Sequence, residues 1–137
     1  MADLRHDAST GRWAAIAPGR TCRPGATAIA SDELEDCPFC AGHEDRTPPE
    51  TLLLGEGPTG WAVRVVPNLY PALGRQEVVV HGPDHVHSIA EVSPVTLELV
   101  AEAWQRRARD AGGICFPFIN EGHDAGASLP HSHSQLA

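Results

Sequence analysis

The sequence predicts an α+β domain in which an antiparallel sheet is covered by one main helix. Three observations carry this expectation. Short apolar or alternating runs bounded by Gly and Pro recur along the chain, one capped amphipathic helix interrupts them, and 137 residues suffice for one core but not two. Residues 1–137 are therefore read as one domain.

Taken in order, GRWAAIAP (11–18) predicts a short strand entered from a turn, and GRTCRPG after it a loop that places Arg20 and Arg23 on irregular backbone. SDELEDCPFCAGHEDRTPPE is polar, Pro-rich and too broken for a long helix, so it needs a staple other than a core of its own. Thr51–Leu54 is a short apolar run before the turn GEGPTG, and WAVRVVPN alternates until Pro67 stops it, as a strand and its exit would. The Val78–Val80 run repeats the theme and ends at a Gly-Pro turn, with His85 and His87 beyond it in a loop or at an element's edge.

Ser93 followed by Pro94 marks a helix start, because a Ser hydroxyl can accept from free N–H groups and Pro suits the first turn. The helix should end near Gly112-Gly113. Leu97, Val100, Trp104, Ala108 and Ala111 recur at spacings of three and four, a stripe suited to lying across a sheet. ICFPFIN predicts another strand with Cys115 buried in it, NEGHDAGAS a Gly-rich loop, and LPHSHSQLA a final strand whose alternation puts His131, His133 and Gln135 on one face.

Composition narrows the function. All ten basic residues are Arg, against 18 Asp and Glu, for a formal charge of -8, which argues against a broad surface for nucleic acid and leaves only local phosphate binding. No apolar run approaches the roughly 20 residues of a membrane-spanning helix, and the first residues lack the apolar stretch of a secretion signal, so a cytoplasmic protein with no membrane partner is expected.

Cys37-Pro-Phe-Cys40 places two thiolates where they can bite one zinc ion, with histidines as the natural remaining ligands; redox chemistry or two ordinary cysteines are the other readings. The flanking residues lack the strand-then-helix setting of a redox pair. His131 and His133, on a strand, would project the same way roughly 6.6–6.8 Å apart along the chain, so that one could bind metal while the other does chemistry. A solvated polar strand would produce the same pattern. Gly122, Gly126 and Ser128 just before it let backbone N–H groups approach a ligand closely, as in a phosphate cradle.

The segment FINEGHDAGASLPHSHSQ resembles the active-site signature of galactose-1-phosphate uridylyltransferases, nucleotidyltransferases of the histidine-triad superfamily. The resemblance continues upstream, in order, through RHDASTGRWAAIAPGRTCRP, DCPFCAGHE, VVPNLYPAL and EVVVHGPDH. It implies a histidine-triad-like fold and transfer of UMP between a UDP-sugar and a hexose 1-phosphate, in galactose metabolism, through a covalent nucleotidyl-histidine. In that reading His133 is the nucleophile, Gln135 hydrogen-bonds the transferring phosphoryl group, Arg20, Arg23, Asn120 and Ser128 lie near the phosphates, and Asn68 meets the nucleoside. Zinc would be held in a closed structural site by Cys37, Cys40, His85 and His131. His81 and His87 are then solvated loop histidines, and Cys22 a loop thiol.

The chain also departs from the family pattern. Leu69 stands where some uridylyl enzymes have an acidic residue, which opens base specificity to an adenylyl-specific transferase, a phosphorylase or a hydrolase. Ser132 replaces a frequent Pro, giving HSH for HPH. The sequence corresponds to an N-terminal half, so the last strand is expected to be an exposed edge or to lose a neighbour, and a homodimer or a chain supplying the missing half is the expected partner. A non-catalytic zinc- and nucleotide-binding module is the reading from a different class.

Overall fold

The computed structural model describes residues 3–22 and 31–137. The Val-rich runs form the middle of a five-stranded antiparallel sheet. Its strands are β3 (Leu52–Leu54), β4 (Val63–Pro67), β5 (Glu77–Val80), β6 (Pro117–Phe118) and β7 (His133–Leu136), in the spatial order β3-β4-β5-β7-β6. Pairing Arg64 with Val80 and Val80 with His133 puts these three side chains in a row on one face. A separate hairpin joins β1 (Asp3–Asp7) to β2 (Arg12–Ile16), with every residue exposed. β2 matches the predicted first strand; β1 was not predicted, because DLRHD has no apolar period to reveal it.

The helix α1 spans Pro94–Ala111. The Ser93 hydroxyl accepts from the Thr96 N–H at 3.1 Å, and Gly112 closes the helix in the left-handed conformation at φ 65°. Val100 and Ala103 are buried, with Leu99 and Trp104 beside them, against Leu54, Val63, Val65, Val79 and Leu136. The buried stripe is thus rotated from the predicted one: Ala103 sits at its centre and Ala111 is exposed. Arg107 extends the same face by donating to Glu77 through Nε (3.0 Å) and Nη2 (2.8 Å), tying the helix to β5. At Gly55, φ is 74° and a Cβ would fall 2.6 Å from that of Ala62, so the turn into β4 has room only for glycine.

Two further expectations are corrected. ICFPFIN yields only the two-residue β6: Pro117 has no N–H to donate, Ile114 and Phe116 are exposed, and Cys115 is partly buried and precedes the strand. β7 is not an edge, because β6 pairs along it through Pro117–Leu136 and Phe118–Gln135. Among the described residues no helix is long and apolar enough to cross a membrane.

Candidate active site and metal centre

The Cys37–Cys40 segment lies between two 3-10 turns, Leu34–Asp36 and Glu44–Arg46, and is held by its own backbone chemistry. His43 Nδ1–H donates to the Cys37 carbonyl at 2.7 Å, and the Ala41 N–H donates to the Pro83 carbonyl at 3.2 Å, bringing the segment against the loop after β5. Both sulfurs are buried there.

Two histidines converge on them in tautomers that their other partners dictate. His131 Nε2 lies 3.0 Å from the Gly82 carbonyl, which can only accept, so Nε2 carries the proton and the Nδ1 lone pair faces Cys37 Sγ (3.5 Å) and Cys40 Sγ (3.6 Å). His85 Nε2–H likewise donates to the Asp32 carboxylate at 3.1 Å, leaving Nδ1 toward Cys40 Sγ at 3.2 Å. The four ligand atoms lie within 4.8 Å of one another.

Burial, and then the adjacent Cys37 sulfur, push the Cys40 thiol up to about 12, whereas burial takes His131 down to about 4. A neutral His131 beside a Cys40 thiol that resists ionisation makes a site that a dication completes, and each imidazole has the hydrogen-bonded outer partner that metal-bound histidines use. The donor set therefore fits a metal. His87, two residues from His85, is half-exposed and shares the Asp32 oxygen at 2.9 Å.

His81 departs from the solvated loop position expected of it. It is 1% exposed at the end of β5, its ring nitrogens each 2.9 Å from the hydroxyls of Ser132 and Ser134, while the Trp104 indole N–H donates to Ser134 at 2.8 Å. Burial, then the nearby His133 and His131, lower it to about 3, so it is neutral. The side chains that trap it lie more than fifty residues away, beyond the reach of any local pattern.

His133 opens β7 and is 8% exposed. Its Nδ1–H donates to the His131 carbonyl at 2.8 Å, so Nε2 carries the lone pair, and burial lowers its pKa. It lines a cavity of about 260 Å³ with Phe39, Asn68, Ser128, Leu129 and Gln135. Phe39, between the two cysteines, sets its ring edge-on 5.3 Å from His133 and 6.0 Å from His131. The metal-binding segment thus forms part of the wall beside His133. Gly122 and Gly126 take φ of 76° and 85° around a short 3-10 turn, His123–Ala125, shaping the loop that brings Ser128 to this cavity.

A second cavity adjoins through Gln135 and is lined by Arg20, Gln76, Phe118 and Asn120. Arg20 donates from Nη1 to the Tyr70 carbonyl at 2.8 Å. The Tyr70 N–H in turn donates to Asn68 Oδ1 at 2.9 Å, and Asn68 Nδ2 donates to Gln135 Oε1 at 3.2 Å. The structure therefore gathers Arg20, Asn68, Asn120, Ser128, His133 and Gln135 around two cavities that share Gln135 in their walls, and Cys37, Cys40, His85 and His131 at one centre; Arg23 lies outside the described residues. Sequence reasoning missed Phe39 and Gln76. Phe39 sits inside the recognised C-x-x-C, a signal that could have found it, whereas nothing local marks Gln76.

Comparison with known proteins adds to this geometry. Residues 67–137 match the family described as galactose-1-phosphate uridyl transferase, N-terminal domain. An ADP-glucose phosphorylase of Arabidopsis thaliana is 30% identical over 98% of this chain and 47% of its own length. A galactose-1-phosphate uridylyltransferase of Thermotoga maritima is 28% identical over 99% and 46%. The crystal structure of the Arabidopsis phosphorylase with bound ADP-glucose aligns with TM-score 0.64 over 99% of this chain and 48% of that one. A HIT family hydrolase from Clostridium thermocellum, 22% identical, aligns with TM-score 0.60 over 76% of this chain and 90% of its own, a likeness of fold. The chain spans about half the length of the curated relatives it matches.

Proposed function

The chain belongs to the galactose-1-phosphate uridyl transferase N-terminal domain family, and from that premise we propose that it carries the nucleotide-accepting histidine of a nucleotidyl transfer. His133 Nε2 attacks the α-phosphorus of a nucleoside diphosphate sugar. The N–P bond forms as the bond to the bridging oxygen breaks, and the sugar 1-phosphate leaves with that electron pair. A second hexose 1-phosphate then takes the nucleotide from the phosphoramidate, restoring the imidazole. UMP moving between a UDP-sugar and a hexose 1-phosphate, in cytoplasmic galactose metabolism, is the first form of this reading.

The observation that carries it is the His133 tautomer. A backbone carbonyl at 2.8 Å holds the proton on Nδ1, and burial keeps the ring neutral, so the lone pair on Nε2 is ready at neutral pH beside a cavity that also holds Gln135. When Nε2 bonds to phosphorus the ring becomes cationic, and the His131 carbonyl already accepts its Nδ1–H. Gln135 donates to the phosphoryl oxygens without adding charge, and Ser128 and Asn120 line the cavities on either side of it. Cys37, Cys40, His85 and His131 would hold zinc, which when bound would brace the strand and Phe39 around the nucleophile.

Adenylyl transfer is the second form, favoured by the 30% identity to an ADP-glucose phosphorylase and by Leu69, an apolar residue at the cavity wall. A second copy, or a chain supplying the rest of the family's length, is the partner this reading expects.

The test is intact-mass spectrometry after exposure to UDP-glucose or ADP-glucose, with His133→Ala as control. A UMP or AMP adduct on the parent and none on the variant is the expected result, and the base that transfers identifies the substrate. An adduct that survives the substitution rejects His133. A folded, metal-loaded chain that acquires no nucleotide, alone or with its complementary half, supports the binding module instead.

A further inference from the structure

A glutamine amide has two ends of nearly equal size and opposite chemistry: oxygen accepts, nitrogen donates. Gln135 helps a phosphoryl group only if nitrogen faces it. Nothing in Gln135 itself decides this, so the decision must come from its neighbours.

The backbone supplies it. The Ala72 N–H, which can only donate, lies 2.6 Å from one end of the Gln76 amide and so fixes that end as Oε1. The other end, Nε2, then points at Gln135 and donates to its Oε1 at 2.6 Å. A parallel chain begins at the Tyr70 N–H, which fixes Asn68 Oδ1 at 2.9 Å and turns Asn68 Nδ2 to the same Gln135 oxygen at 3.2 Å. Both lone pairs of Gln135 Oε1 are thereby occupied. Turning the amide over would set its NH2 against two other NH2 groups, beside a Gln76 side chain that is 5% exposed. The Nε2 hydrogens are left for the cavities that Gln135 borders, one of them shared with His133.

The geometry points to Gln76 as a positioning residue that holds the donor end of Gln135 toward the reacting phosphoryl group, with the Tyr70–Ala72 backbone as the reference from which that orientation is set. This rests on the nucleotidyl-transfer reading above. Gln76 itself need not touch the reacting atoms.

Two measurements test it. In the wild-type chain, trans-hydrogen-bond NMR should show scalar coupling from the Gln76 side-chain nitrogen to the Gln135 side-chain carbonyl carbon; coupling in the reverse direction, or none, overturns the assignment without recourse to a variant. In first-turnover kinetics with UDP-glucose or ADP-glucose, Gln76→Glu removes the donor and offers an acceptor, turning Gln135 over. The rate of adduct formation should fall about 10²-fold, as for the loss of one transition-state donor. In a Gln135→Ala background the same substitution should have no further effect, because there is no amide left to orient. Equal penalties in both backgrounds would mean that Gln76 merely supports the fold, and the role given to it falls while the functional reading stands. No covalent nucleotide on the wild-type chain sinks the functional reading, and the role of Gln76 with it.

Discussion

Along β4, β5 and β7 successive side chains alternate between the two faces of one sheet, and the faces are held by different forces. On the helix side Val63, Val65, Val79 and Leu136 meet Leu54, Val100 and Ala103, an apolar contact that the Arg107–Glu77 pair supplements. On the other side Val66, Val78 and Val80 share their rows with Arg64, His133 and Gln135, under a cover made of Cys37, Phe39 and Cys40. Polar side chains, Arg64 and His133 among them, are buried with these apolar ones. Arg64 shows the consequence: it is wholly buried, donates to Thr47 at 2.8 Å and lies 5.3 Å from the centre of the Trp61 ring, yet its Nε and Nη1 find no partner among the described residues. The helix face is built for stability. The opposite face gives up part of it to set His133 and Gln135 at the wall of a cavity.

If that contrast is right, removing the metal should strike one face and spare the other. Chelation, or Cys37→Ser, is expected to release about one zinc ion per chain, lower the melting temperature and slow adduct formation by freeing Phe39 beside His133. Helical circular dichroism should persist below the new melting point, since α1 packs on the other face. Metal content by mass spectrometry and calorimetry on the same sample decide it. Unchanged metal content in Cys37→Ser would remove this residue from the ligand set.

The complementary cut is Leu54→Ala. It deletes core volume on the helix side and should cost about 2–5 kcal/mol in denaturant unfolding, while the metal stays bound at full stoichiometry. A variant that lost metal in proportion to stability would show that the faces are one cooperative unit.

The two faces also differ in how far they can be read in the sequence. Val79, inside the Val78–Val80 run, and the helix bounded by Ser93 and Gly112 announce the helix side, because period and capping are local. The C-x-x-C and H-S-H clusters announce the chemistry of the other side, but their union depends on the strand order β3-β4-β5-β7-β6, which no local pattern contains. Only the resemblance of EVVVHGPDH to the family singles out His85 among its neighbours. His81 could not be placed correctly because Ser132 and Ser134 acquire meaning only once β7 lies beside β5, and Gln76 acts through backbone N–H groups that any residue type would present.

His81 offers the smallest and sharpest test, of the helix side, because its ring is held by the serines that flank His133, one of which also accepts from Trp104 of the helix. In the fold its pKa is about 3, below the 6.5 of the unfolded chain. As pH falls below 6.5 the unfolded chain takes up a proton that the native one refuses, so the contribution of a neutral His81 is complete above 6.5 and is lost progressively down to about 3. At pH 5.5 the loss should be on the order of 1 kcal/mol. His131, about 4 in the fold, adds a slope of the same sign to the metal-free protein. The measurement is therefore a comparison with His81→Asn, in which the His131 contribution cancels. The variant should be less stable at pH 7 yet lose stability less steeply between pH 6.5 and pH 5. Parallel slopes for the two proteins would mean that His81 is not held neutral by burial.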